Sequence, residues 1–112
     1  MELIDFEDFK KVELRVGKII KCEEFLKAKS PAYILHIDFG EVLGIKKSSA
    51  QITTHYSMEE LVGKYIVAVV NFPKKQIANI QSECLVTGFH DEAGGVFLCV
   101  PDGEVPLGTK LL

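Results

Sequence analysis

The side chains best suited to chemistry in this sequence are cations and small polar groups, gathered in a few stretches. Lys46-Lys47-Ser48-Ser49-Ala50-Gln51 sets two lysines beside Ser48, Ser49 and Gln51, which donate and accept hydrogen bonds. Lys74-Lys75-Gln76-Ile77-Ala78-Asn79-Ile80-Gln81-Ser82 repeats the combination directly after Pro73. Leu26-Lys27-Ala28-Lys29-Ser30 adds two more lysines and no acid. Ammonium groups interleaved with uncharged donors suit phosphate oxygens and sugar hydroxyls. Lysines that merely keep exposed loops in water would look the same.

Signals for catalysis are poor. There is no glycine-rich phosphate loop, no nucleophile elbow and no cluster with metal-ligand spacing. His36, His55 and His90 are each solitary. Asp38, two residues from His36, shares its strand face and reads as a surface hydrogen-bond partner rather than half of an acid–base couple. Cys22, Cys84 and Cys99 make an odd count with no redox or zinc spacing, which predicts reduced, mostly buried thiols in a cytoplasmic protein. Cys84 lies in an apolar stretch, where a buried thiol is inert. The expectation is a binding protein with no cofactor and no metal, not an enzyme.

The chain that must position these groups has 112 residues, room for one domain spanning 1–112. A composition of 47% hydrophobic and 26% charged residues excludes intrinsic disorder. A net charge of −3 argues against a general nucleic-acid coat protein. Residues 42–82, however, carry five lysines against two acids, which suits one selective polyanion site on an otherwise acidic surface. The longest apolar run, 65–70, is far short of the ~20 residues of a membrane span. The opening Met1-Glu2-Leu3-Ile4-Asp5 is acidic where a secretory signal is basic, so no membrane insertion is expected.

Periodicity supplies the elements. Asp5 opens a short helix with acids early and lysines late. Residues 12–16 alternate as a strand, and Gly17 is expected to break it as a bulge or bend before it resumes through 18–22. A second strand places Tyr33, Leu35, Ile37 and Phe39 on one face. Gly40 and Gly44 bracket a turn, and 45–53 is a third strand. Ser57 and Glu60 form a capping box for a helix ended by Gly63. Residues 65–72 are a fourth strand, 74–82 a polar loop, and 83–89 a fifth strand. A turn over 90–95 and a strand over 96–100 follow. Three strands, a helix and two strands give a mainly all-β fold, the five-stranded Greek-key OB-fold barrel, with an N-terminal helix and a C-terminal strand extension.

In that fold the loops joining strands 1–2 and 4–5 flank the face of strands 2–3, which gathers the lysine stretches. The only ring on the outward face of strand 2 is His36, so base stacking is a poor mode, and reading a folded RNA by shape and backbone is the better one. Strand 4 is apolar on both faces, which calls for a cover from the chain's own helices or from a partner subunit, and a homodimer is expected. A second class of ligand, an unfolded polypeptide, would need an exposed apolar groove; Phe72, Ile77 and Ile80 are its candidate lining, with Phe89 read as core.

Val12-Glu13-Leu14-Arg15-Val16-Gly17-Lys18-Ile19 resembles the opening of the tRNA-binding OB-domain family, whose members stand alone or are appended to aminoacyl-tRNA synthetases. Pro31-Ala32-Tyr33, Ile37-Asp38-Phe39-Gly40, 44–53, Val69-Val70-Asn71-Phe72-Pro73 and Gln76-Ile77 resemble its CsaA branch of protein-export chaperones. The resemblance implies an OB-fold homodimer joined through its N- and C-terminal elements, tRNA binding, and a chaperone role toward unfolded preproteins and SecA. Carried over residue by residue, the tRNA site takes in Lys74, Lys75, Ser82, Cys84 and Leu85, with Lys46, Lys47, Ser48, Ser49 and Gln51 on the adjoining strand. Three positions depart from the tRNA-binding pattern: Lys75 stands for an arginine, and Ala78 and Glu83 stand for glycines.

Overall fold

The computed structural model describes all of residues 1–112. Its elements run α1 (Phe6–Lys10), β1 (Leu14–Glu24), β2 (Tyr33–Asp38), α2 (Gly40–Leu43), β3 (Ile45–Ala50), α3 (Met58–Leu61), β4 (Tyr65–Val69), β5 (Lys75–Ile77), β6 (Ile80–Ser82), β7 (Leu85–Val86), β8 (Gly88–His90) and β9 (Val96–Leu98). Five strands form one antiparallel sheet in the order β3-β2-β1-β4-β7, which curls into a nearly closed barrel of OB type.

The inward face follows the alternation of the sequence. Leu35, Ile37 and Phe39 meet Ile19, Leu61, Ile66 and Ala68 in a core whose largest members are essentially unexposed. Leu61 caps it from α3, which the Ser57–Glu60 capping box holds in both directions as expected. Gly63 follows with φ 94, a left-handed conformation that glycine adopts freely.

Gly17 does not interrupt β1. It pairs in register with Ile66, and a Cβ there would lie 2.5 Å from Ile37 Cγ2 and 2.7 Å from the Phe39 ring. The glycine lets β1 press against the core, while the register shift falls at Ile20, between Ile19 and Lys21. The bend that re-aims β1 from β4 toward β2 is therefore three residues later than expected.

Residues 74–82 are not an irregular loop. They form a hairpin, β5 against β6, with Ile77 opposite Ile80 and Ala78-Asn79 as its two-residue turn. The expected fifth strand is likewise split at Thr87, whose amide and hydroxyl both donate to the Val67 carbonyl. Beyond it, β8 and β9 make a separate hairpin.

The chain's C-terminus supplies part of the cover for β4. Val16 and Leu111 donate amides to Thr109 and Leu14, and Lys110 pairs with Glu13 at 2.5 Å. Leu111 and Leu112 thereby line the groove that contains Val67. No helix is long and apolar enough to cross a membrane.

Candidate nucleic-acid interface

Barrel closure builds the site. On one edge β3 pairs with β2; on the other, its N–H groups meet side chains rather than a regular ladder. Lys47 N donates to Glu83 Oε1 at 3.0 Å and Ser49 N donates to Ser82 Oγ at 3.1 Å. Glu83 N returns a bond to the Lys47 carbonyl at 2.8 Å. This seam draws the β5–β6 hairpin over β3, beside the connector between β1 and β2.

Lys27, Lys29 and Lys75 consequently line one cleft of ≈ 540 Å³ with Ser30, Ser49, Gln51 and Gln76. No carboxylate lines it, and none of the three lysines makes an ion pair. Three unpaired ammonium groups around a cleft with hydroxyl and amide donors can hold a phosphodiester backbone.

The residues expected at the site divide in the fold. Lys75, Ser49 and Gln51 come together as expected. Lys47 projects from the same strand face as Ser49, opposite His36. Lys46 shares the other face with Ser48 and Ala50, and Ser48 is 1% exposed, so its hydroxyl cannot meet an external ligand. The phase of β3 was hidden because both of its faces are polar. Ser82 is buried, its hydroxyl accepting from Ser49 N and donating to the Cys84 carbonyl at 3.4 Å. Cys84 is also buried, and desolvation pushes its thiol up to about 12. Ser48, Ser82 and Cys84 thus support the site from within. Lys74 is exposed but sits 3.6 Å from Glu83 Oε2.

A second groove, ≈ 290 Å³ and mostly apolar, adjoins the first through Ser49, Lys75 and Ile77. Phe72, Pro73 and Leu85 line it too, with the largely buried Ser82 and Cys84 at its floor, and Phe72 is 54% exposed. Of the expected apolar lining, Phe72 and Ile77 converge here and Ile80 does not. Phe89 is not core: it is 73% exposed and lies opposite Phe97 on the β8–β9 hairpin.

The histidines found partners that local sequence does not show. His36 Nε2 lies 2.7 Å from Glu23 Oε1 across the β1–β2 ladder, whereas Asp38 accepts from Gly40 N. The His36 contact, followed by the Lys21 charge, holds the Glu23 carboxyl below the usual range. His55 lies 2.7 Å from Asp91 Oδ2 and stacks on Phe97 with centroids 4.2 Å apart. Asp91, lowered chiefly by His55, also accepts from Ala93 and Gly95 amides, so the pair braces a turn. No three His, Cys, Asp or Glu side chains cluster as a metal site would need.

Known proteins share this architecture. Residues 14–110 match the family described as "Putative tRNA binding domain". A methionine–tRNA ligase from Pyrococcus horikoshii is 37% identical over 116 residues, covering 99% of this chain and 15% of that protein. One from Porphyromonas gingivalis is 34% identical, covering 98% of this chain and 16% of that protein. The chain therefore spans only a small part of these curated relatives. Among solved structures, chaperone CsaA from Bacillus anthracis superposes with a TM-score of 0.93 at 52% identity, covering 99% of this chain and 100% of that one. CsaA from Picrophilus torridus gives 0.91 at 50% identity, covering 98% and 100%. A MetRS-related protein from Pyrococcus horikoshii gives 0.87 at 30% identity, with full coverage of both chains (100% each).

Proposed function

This chain belongs to the tRNA-binding domain family, in its CsaA-type form, and on that premise we propose that it binds tRNA in the cleft between the 26–30 connector and the β5–β6 hairpin. The observation that carries the reading is the convergence of Lys27, Lys29 and Lys75 on one cavity free of carboxylates. The contacts available are to phosphate and sugar, so the protein reads shape and backbone and acts as a binding module without a chemical step. Three phosphate contacts predict a log–log salt slope of about −2 to −3. Lys75→Ala should weaken binding and flatten that slope by about 0.7–0.9 in a gel-shift salt series. Lys27→Ala and Lys29→Ala should act alike, and three variants titrating like the parent chain would remove the cleft from consideration.

The adjoining apolar groove favours a second activity at the same rim. As with the CsaA chaperones it resembles, the chain would there bind unfolded preproteins, with SecA as a further partner, as a cytoplasmic homodimer in protein export. Phe72 and Leu85 are the exposed apolar anchors. Stoichiometric protein should suppress aggregation of a denatured client, and Phe72→Ser with Leu85→Ser should abolish the effect; unaltered suppression contradicts the groove. The exposed Ile4, Phe6, Leu111 and Leu112 at the two chain ends suit a subunit junction. Light scattering should then give twice the 12.5 kDa chain mass, and a monomer at working concentration would contradict it.

A further inference from the structure

Glu83 sits on the seam that draws the β5–β6 hairpin over β3, and its position is fixed rather than adaptable. Its amide donates to the Lys47 carbonyl at 2.8 Å and its Oε1 accepts from the Lys47 amide at 3.0 Å. Its side chain is 23% exposed, so those bonds are partly shielded from bulk water. The remaining oxygen, Oε2, faces Lys74 Nζ at 3.6 Å, and that lysine is 62% exposed and otherwise unpaired. The anion is anchored and the cation comes to it. Next in sequence, Lys75 lies in the cleft with no anion beside it.

We propose that Glu83 is a specificity-determining residue of the RNA site, deepening the reading above: it keeps Lys74 out of the binding surface and restrains attachment of arbitrary polyanions. A flexible exposed cation adds affinity to every phosphate chain alike, because the gain comes from counterion release and not from fit. A fixed carboxylate beside it cancels that gain and repels phosphate arriving at the same spot. The rim then presents Lys27, Lys29 and Lys75 at set positions, which a folded RNA can match and a flexible strand has no preference for. Glu83 acts through Lys74 and needs no contact with the ligand.

The test is a four-protein cycle: the parent chain, Glu83→Gln, Lys74→Ala and the double variant. Each is titrated with bulk tRNA and with single-stranded poly(U) over a salt series. Glutamine keeps an oxygen to accept from Lys47 N, so the seam survives; thermal melts confirm this. Glu83→Gln should tighten poly(U) binding by about three- to tenfold at low salt, more than tRNA binding, and steepen the slope by about 0.7–0.9. Lys74→Ala should change affinity less than twofold in the parent chain yet erase the gain in the Glu83→Gln background. Equal loss from Lys74→Ala in both backgrounds overturns the proposal, as does Glu83→Gln binding like the parent. If Glu83→Gln fails to fold, Lys74→Ala alone decides: a loss above threefold shows that Lys74 already serves the site. Absence of any RNA binding by the parent chain overturns the reading of the cleft as well, whereas binding insensitive to Glu83 overturns this proposal only.

Discussion

Ala78 holds a left-handed backbone, φ 49, at the tip of the β5–β6 hairpin, where a Cβ is strained and a glycine is not. The strain is local to the hairpin that carries Lys75. Ala78→Gly should stabilise the protein by about 0.5–1 kcal/mol in urea unfolding, and a loss of stability would show that the turn is relaxed as it stands. The thiols make a second residue-scale prediction. Desolvation, then the Glu23 charge, raises Cys22 to about 11, and burial raises Cys84 to about 12. Neither carries appreciable thiolate near neutrality, so alkylation should await unfolding; rapid labelling of Cys84 in the folded protein would contradict its burial. Glu13, Glu23, Glu60 and Asp91 are all held below the ordinary carboxylate range, Glu13 first by Lys110 and Glu60 first by the Ser57 amide. In acid the folded state therefore binds fewer protons than the unfolded one. Their contribution is complete above the ordinary carboxylate pKa of about 4 and is lost as pH falls below it. Asp91→Asn should flatten the acid limb of the melting temperature against pH, and an unchanged limb would contradict the His55–Asp91 brace.

At the scale of elements, β1 is sensitive to a small change. Gly17→Ala would drive a methyl group into Ile37 and Phe39, and overpacking of that kind costs about 1–3 kcal/mol. A drop in denaturation midpoint is expected, and a neutral result would show that β1 can shift outward. The same strand shows what sequence can and cannot reveal. Its alternation was legible because apolar Leu14 and Val16 alternate with polar Glu13 and Arg15, but a glycine in a strand signals a bulge and a close approach equally well. The true bulge at Ile20 carries no marker, since Ile19 and Ile20 are alike. The capping box of α3 was legible because Ser57 and Glu60 are three apart, a spacing with one local meaning. The β5–β6 hairpin was not, because its turn lacks glycine and its faces are largely polar. The seam from Glu83 and Ser82 to β3 was hidden for another reason: it joins residues 33 to 36 positions apart, with nothing local to mark it.

For the molecule as a whole, the barrel sorts a net negative chain into one positive cleft and an acidic remainder. The expectation from sequence placed five lysines at one rim: Lys27, Lys29, Lys46, Lys74 and Lys75. Closure delivers Lys27, Lys29 and Lys75 to a shared cavity, turns Lys46 to the buried face of β3, and pairs Lys74 with Glu83. The site is smaller than the run of charges suggested, and it is bounded on one side by apolar surface. That boundary is why RNA and polypeptide are both read as ligands of a single rim. Because the lysines reach the cavity from two connectors far apart in sequence, their joint action depends on the barrel remaining closed.

The most direct measurement follows backbone amide resonances of the protein during titration with tRNA. The account predicts shifts concentrated at 27–30, at Ser49 and Gln51, and at 75–78, reversing as salt is added. Shifts centred instead on the β8–β9 hairpin or on the chain ends, with the cleft amides unmoved, would contradict it.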